Sequence, residues 1–210
     1  METKKTTDIQ VTAAKIISLV FHPLFIPLYG LIIIFTAPTL FWYLPLKVKK
    51  ILLLILLTNN ILIPVSLMPF FRYRNIISSW VVEKRSERVI PLLSVAILYS
   101  VTSFIMFRLQ IPIFVKTYIF STSFLALTVL VIDLWWKISL HSAGAGALIG
   151  IVIALSLKMS VPLTWFLIPA VLIAGLVLSS RLKLNSHDSA QVYIGFLTGL
   201  TSMSLFMLFF

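Results

Sequence analysis

SRLKLNSHDSAQVYIGFLTG, residues 180–199, sets an Arg, a Lys, a His and an Asp against the start of an apolar run that continues to Phe210. That run, 189–210, is long enough to cross a hydrocarbon core, which takes ~20 apolar residues in helical form. Outward from it the pattern repeats. Apolar residues make up 60% of the 210 and charged residues 11%, where a soluble domain carries about a quarter charged. The apolar runs are continuous and lack dyad alternation, so they predict helices rather than a barrel. Hydropathy predicts crossings at 13–37, 51–70, 90–107, 113–132, 141–158, 162–178 and 189–210. The expected fold is thus an all-α integral membrane bundle of about seven transmembrane helices, with six as the alternative count. It forms one domain over 1–210, preceded by a polar stretch at 1–12. The first run is too long for a signal core and lacks a small-residue cleavage pattern, so it reads as a retained span.

Two other polar clusters lie around Lys84–Arg88 and Asp133–His141. With seven crossings, both fall on the same side of the membrane as 180–188. That side holds Lys4, Lys5, Lys15, Arg72, Arg74, Lys84, Arg85, Arg88, Lys137, Arg181 and Lys183, and all six acids (Glu2, Asp8, Glu83, Glu87, Asp133, Asp188). The opposite side holds Lys47, Lys49, Lys50, Arg108, Lys116 and Lys158. Eleven cations against six would place the richer side in the cytoplasm of a bacterial inner membrane. Setting aside Lys84, Arg85, Arg88, Lys137 and Arg181 as substrate contacts leaves six against six. The net charge of +11 sits in short loops beside apolar runs. Anionic lipid head groups or phosphorylated lipids are therefore the expected partners, and nucleic acid is not. The chain has no Cys, which removes thiolate catalysis and Cys-ligated metal.

Each cluster admits a plain and a functional reading. His187 alone reads as an interfacial side chain. Gln191, four residues on, is placed to hold one ring nitrogen and leave the other as a base or nucleophile. Arg181 offers a planar fork of donors suited to phosphate oxygens, and the start of the last helix should present free N–H groups to an anion. Ser139 and His141 stand at another helix start. Gly146/Gly150 and Gly195/Gly199 form two G-x-x-x-G spacings that let helices pack closely, which would bring His141 and His187 to one mouth. Lys84, Arg85 and Arg88 share a sector if helical, or form a basic loop on lipid phosphates. Asn59 and Asn60 read as interhelical hydrogen-bonding residues.

S-R-x5-H-x3-Q at 180–191, followed by V-x-x-G-x-x-x-G, resembles the third signature of the type 2 phosphatidic acid phosphatase superfamily, related to vanadium haloperoxidases, with Gln191 where that signature has Asp. Ile138-Ser139-Leu140-His141 resembles the second, P-S-G-H, and 84–91 loosely resembles the first, K-x6-R-P. The resemblance covers about residues 80–200, in the family's order. It implies His187 as nucleophile forming a phosphohistidine and His141 as general acid. Arg181, Ser139 and Lys84 would grip the phosphate, with Arg85, Arg88 or Lys137 as further cations and no cofactor or metal required. The function it implies is a metal-independent phosphatase for an amphiphilic phosphate such as a phosphatidate, a phosphatidylglycerol phosphate or a polyprenyl diphosphate. The alternatives are a phosphotransferase or a non-catalytic lipid-phosphate-binding relative. Asp188 or Asp133 could supply the carboxylate that Gln191 lacks.

Overall fold

In the computed structural model the backbone is described for residues 2–210 except 81 and 83, and side chains from Asp8 on with the same exceptions. Glu2, Lys4, Lys5 and Glu83, counted above on the polar side, lie outside the described side chains. All regular structure among the described residues is helical. The helices are α1 (Glu2–Val20), α2 (Ile26–Thr36), α3 (Leu46–Leu56), α4 (Ile63–Tyr73), α5 (Arg85–Arg108), α6 (Ile113–Trp135), α7 (Leu140–Met159), α8 (Thr164–Lys183) and α9 (Ser189–Phe209). Among the described residues, seven stretches are long and apolar enough to cross a membrane: Asp8–Thr36, Leu46–Tyr73 and then α5 to α9 singly. The protein is an all-α membrane bundle.

The first two stretches are not simple rods, for chemical reasons visible in the sequence. Pro23 has no N–H and disfavours a helical residue before it. His22 accordingly is extended (φ −63°, ψ 140°), and a 3-10 turn, Pro23–Phe25, separates α1 from α2. In the second stretch Pro64 cannot donate to the preceding turn. The six residues before α4, Leu57–Leu62, form a π-helical segment in which Ile63 N–H donates to Thr58 O, one residue further back than in an α-helix. Asn60 in this segment is fully buried and its Oδ1 accepts the Thr102 hydroxyl at 2.7 Å, the interhelical bond expected of it.

Most spans extend beyond the expected limits, and three of the extensions bear on the polar clusters. The third span begins at Arg85 rather than near 90, so Arg88 stands in the first turn of α5. The sixth runs to Lys183 rather than 178, so Arg181 is on the last turn of α8. Asp133 likewise belongs to α6 rather than to the loop after it.

α7 is the centre of the bundle: 72% of its apolar window is buried, against 22–44% in the other six stretches. Its Ala- and Gly-rich sequence makes this position available, since small side chains let neighbouring backbones approach. A methyl on Gly146 would overlap Phe196 O of α9, and one on Gly199 would overlap Ala143 O of α7. At Gly195 a methyl would stand 2.7 Å from Ser139 O. Both G-x-x-x-G pairs thus serve the same helix–helix contact. On another face, α7 receives Ile26 of α2 against Gly144. Tyr118 of α6 donates to Pro27 O at 2.8 Å and pins α2 to the bundle.

Candidate functional site

The close α7–α9 contact carries the starts of both helices to one end of the bundle. Ser139 N–H donates to Gln191 O at 3.3 Å, so the two helix starts are joined directly. Between α8 and α9, Asn185 takes a left-handed φ of 49°, a conformation Asn tolerates. The chain reverses there, between Arg181 and His187. Lys137, on the α6–α7 connection, donates to Ser186 O at 3.1 Å. Arg88 of α5 donates to Ile138 O at 3.1 Å and pairs with Asp133 at 3.2 Å. The three polar clusters therefore meet.

His187 Nδ1 lies 2.8 Å from Gln191 Oε1. An amide oxygen only accepts, so Nδ1 carries the hydrogen and Nε2 keeps its lone pair. Burial pushes the His187 pKa down to about 4. The charges of Arg88, Lys137 and Arg181 act in the same direction, and the Gln191 bond opposes them. At neutral pH the ring is uncharged and lies in the field of these three cations. A nucleophilic nitrogen in a field of positive charge suits attack on a phosphorus whose oxygens gain negative charge.

His141 turns toward α1. Its Nε2 is 3.0 Å from Ser18 O, and because a carbonyl only accepts, this nitrogen carries the hydrogen and Nδ1 is the open one. Arg181 donates to Ser18 Oγ at 3.2 Å. One serine of α1 thus touches two of the expected site residues. The ring of His22, at the α1–α2 break, stands perpendicular to that of His141 with centroids 5.4 Å apart. His22, His141, Arg181 and His187 are each half-buried, so each keeps a surface open to an approaching molecule.

Four expectations need correction. Lys84 is not helical: it is the N-cap residue of α5, its side chain 71% exposed and paired with Glu87 at 3.4 Å, so the sector shared by Lys84, Arg85 and Arg88 does not form. Arg85 is exposed and donates to Leu134 O, which leaves Arg88 as the one of the three that reaches the His187 side. Ser139 is fully buried, and its hydroxyl accepts from Ser142 N–H as the cap of α7 and contacts Ser142 Oγ at 2.8 Å. It is spent on the helix end. The start of α9 is closed by the chain itself: Asp188 Oδ1 accepts Gln191 N–H at 2.8 Å, placing a carboxylate where a free anion site was expected. Neither acid replaces the missing carboxylate at His187, because Asp188 caps α9 and Asp133 belongs to Arg88.

Ser18 and His22 were not among the expected site residues. His22, a polar side chain beside Pro23 inside an apolar run, was the available signal; Ser18 gave none. Among the described residues no group of three or more His, Asp and Glu side chains is placed to share a metal ion. Comparison with protein-family models, with curated proteins and with solved structures finds no match in any of the three.

Proposed function

We propose that this cluster is the active site of a metal-independent lipid-phosphate phosphatase working through a phosphohistidine, a divergent relative of the type 2 phosphatidic acid phosphatases. The observation that carries the reading is the His187–Gln191 bond, which leaves Nε2 unprotonated in the field of Arg88, Lys137 and Arg181.

His187 Nε2 attacks phosphorus and the bond to the leaving alcohol oxygen breaks. His141 Nδ1, the open nitrogen, takes the hydrogen that the substrate's phosphate monoanion brings and passes it to that oxygen. Water then attacks the phosphorus, the P–N bond breaks, His141 Nδ1 takes a proton from the water, and phosphate leaves. Arg181 and Lys137 hold the phosphoryl oxygens, and Arg88 adds positive field from behind its pair with Asp133. Because Nδ1 keeps its hydrogen on Gln191, the phosphorylated ring is cationic and departs in the second step as neutral imidazole, a good leaving group. The same feature slows the first step, since a neutral amide stabilises that cation less than a carboxylate does. The substrate is an amphiphilic phosphate or diphosphate drawn from the surrounding lipid.

The test is release of inorganic phosphate by the purified full chain in detergent with a chelator present, over phosphatidate, phosphatidylglycerol phosphate and a polyprenyl diphosphate. Chelator-resistant release that is lost in His187→Ala supports the reading. An inert parent, or an active His187→Ala, overturns it. The second reading, a lipid-phosphate-binding protein without turnover, draws on Gln191 and on Ser18, which engages both Arg181 and His141.

A further inference from the structure

We infer that His22 is a ligand-facing residue of this site, a neutral hydrogen-bond donor to an uncharged oxygen carried next to the phosphate of the bound lipid. The inference rests on the reading of the cluster as a lipid-phosphate site.

Three observations carry it. First, the ring's polarity is set by its own turn. Leu24 N–H donates to His22 Nδ1 at 3.3 Å, so Nδ1 is the acceptor and Nε2 bears the hydrogen. A ring held this way presents one donor and no charge, which matches an ester, ether or hydroxyl oxygen better than a phosphate anion. Second, the ring is at the site. It stands 5.4 Å, centroid to centroid, from His141, at 85°, and His141 is the residue that meets the leaving-group oxygen in the proposed reaction. Ser18, one turn earlier in α1, fixes this arrangement by accepting from His141 Nε2 and Arg181. Third, the direction of the chain is right. From His22 it runs inward to Ile26, which packs on Gly144, about one turn down α7 from His141. His22 therefore stands on the flank of the site where a lipid passes from phosphate to hydrocarbon. The atoms it would meet are those between the two.

The ligand class that uses this donor has an oxygen-bearing linker between phosphate and chain. A plain alkyl or prenyl phosphate has none and gains nothing from His22. One hydrogen bond between neutral groups changes affinity roughly two- to tenfold.

The experiment is equilibrium binding, to the purified full chain in nanodiscs, of two non-hydrolysable phosphonates: a diacylglycerol-type phosphonate with ester oxygens, and a long-chain alkyl phosphonate without them. His22→Phe is expected to weaken the first two- to tenfold and leave the second unchanged. His22→Gln, which places an amide N–H near the position of Nε2, is expected to stay within twofold of the parent on both. Equal weakening of both ligands by His22→Phe, no weakening of either, failure of His22→Gln to restore the first, or no binding of either ligand by the parent overturns the inference. Binding is independent of turnover. A chain that binds with this pattern yet releases no phosphate from lipid substrates keeps the role of His22 and loses the phosphatase reading.

Discussion

Arg88 and Asp133 face each other at 3.2 Å with side chains 7% and 0% exposed, so α5 and α6 are joined by an ion pair closed to water. Arg88 also donates to Ile138 O. That places its charge behind the α6–α7 connection, where it acts on His187 through the field more than through contact.

Breaking this pair leaves a buried charge uncompensated, which costs about 3–5 kcal/mol. Asp133→Asn and Arg88→Met are each expected to lower the thermal unfolding temperature in detergent markedly. The double variant Arg88→Met/Asp133→Leu should recover most of the loss, since well-packed apolar groups often replace a buried pair at little cost. Thermal unfolding of the three variants decides it, and a double variant as unstable as the worse single one contradicts the account.

His187, with its pKa at about 4 against an ordinary 6.5, also makes a pH prediction. Between those values the unfolded chain binds a proton that the folded chain refuses, so stability falls as pH drops from about 6.5 to about 4 and is insensitive to this group above that window. His187→Asn should lose less unfolding temperature than the parent between pH 7 and pH 4.5. Gln191→Asp adds a negative charge at Nδ1, so the pKa of His187, followed by histidine NMR, should move up. Phosphate release should rise at least tenfold, by analogy with the loss of about 10⁴ when a triad Asp becomes an amide. An unchanged rate with a raised pKa would show that the orienting group does not limit this site.

The glycines of the α7–α9 contact separate tight from open positions. Gly199→Ala drives a methyl into Ala143 O, whereas a methyl on Gly175 of α8 meets nothing within 4 Å. Gly199→Ala is expected to cost about 1–3 kcal/mol through overpacking and to reduce phosphate release by displacing Ser139 and His141 from Gln191 and His187. Gly175→Ala should gain about 0.5–1 kcal/mol from the helix propensity of Ala. Parallel unfolding and activity measurements on the two variants test the pair.

Two lysines near the site are predicted to differ. Lys84 is exposed on Glu87, and Lys137 is half-buried on Ser186 O. Lys84→Ala should change phosphate release less than twofold. Lys137→Ala removes a charge that acts on His187 and the one bond from Lys137 to the α8–α9 loop, and should lower release at least tenfold. Comparable losses in both would return Lys84 to the site.

Hydropathy alone carried the helical membrane fold and its seven crossings, because lipid forces each span to satisfy its own backbone. The meeting of the three clusters followed from counting crossings. The His187–Gln191 bond followed from spacing, since residues four apart at a helix start face each other. What was not legible depended on competition between partners. Lys84 had Glu87 within reach, Asp188 had the Gln191 N–H, and Ser139 had the Ser142 N–H. Each takes a short-range partner, as polar side chains at helix ends do. Ser18 was hidden for a different reason: nothing in a single sequence reports that α1 lies against α8.

Ser18 meets Arg181 across 163 residues of chain, and this separation has a consequence for biogenesis. At synthesis rates of about 5–20 residues per second, α1 leaves the ribosome roughly 8–33 s before the arginine that its serine binds. For that interval the first helix has lipid, or the insertion machinery, as its neighbour. The site is thus one of the last parts of the protein to come into being, and a nascent chain arrested before α8 holds His22 and His141 with neither Arg181 nor His187 to complete them.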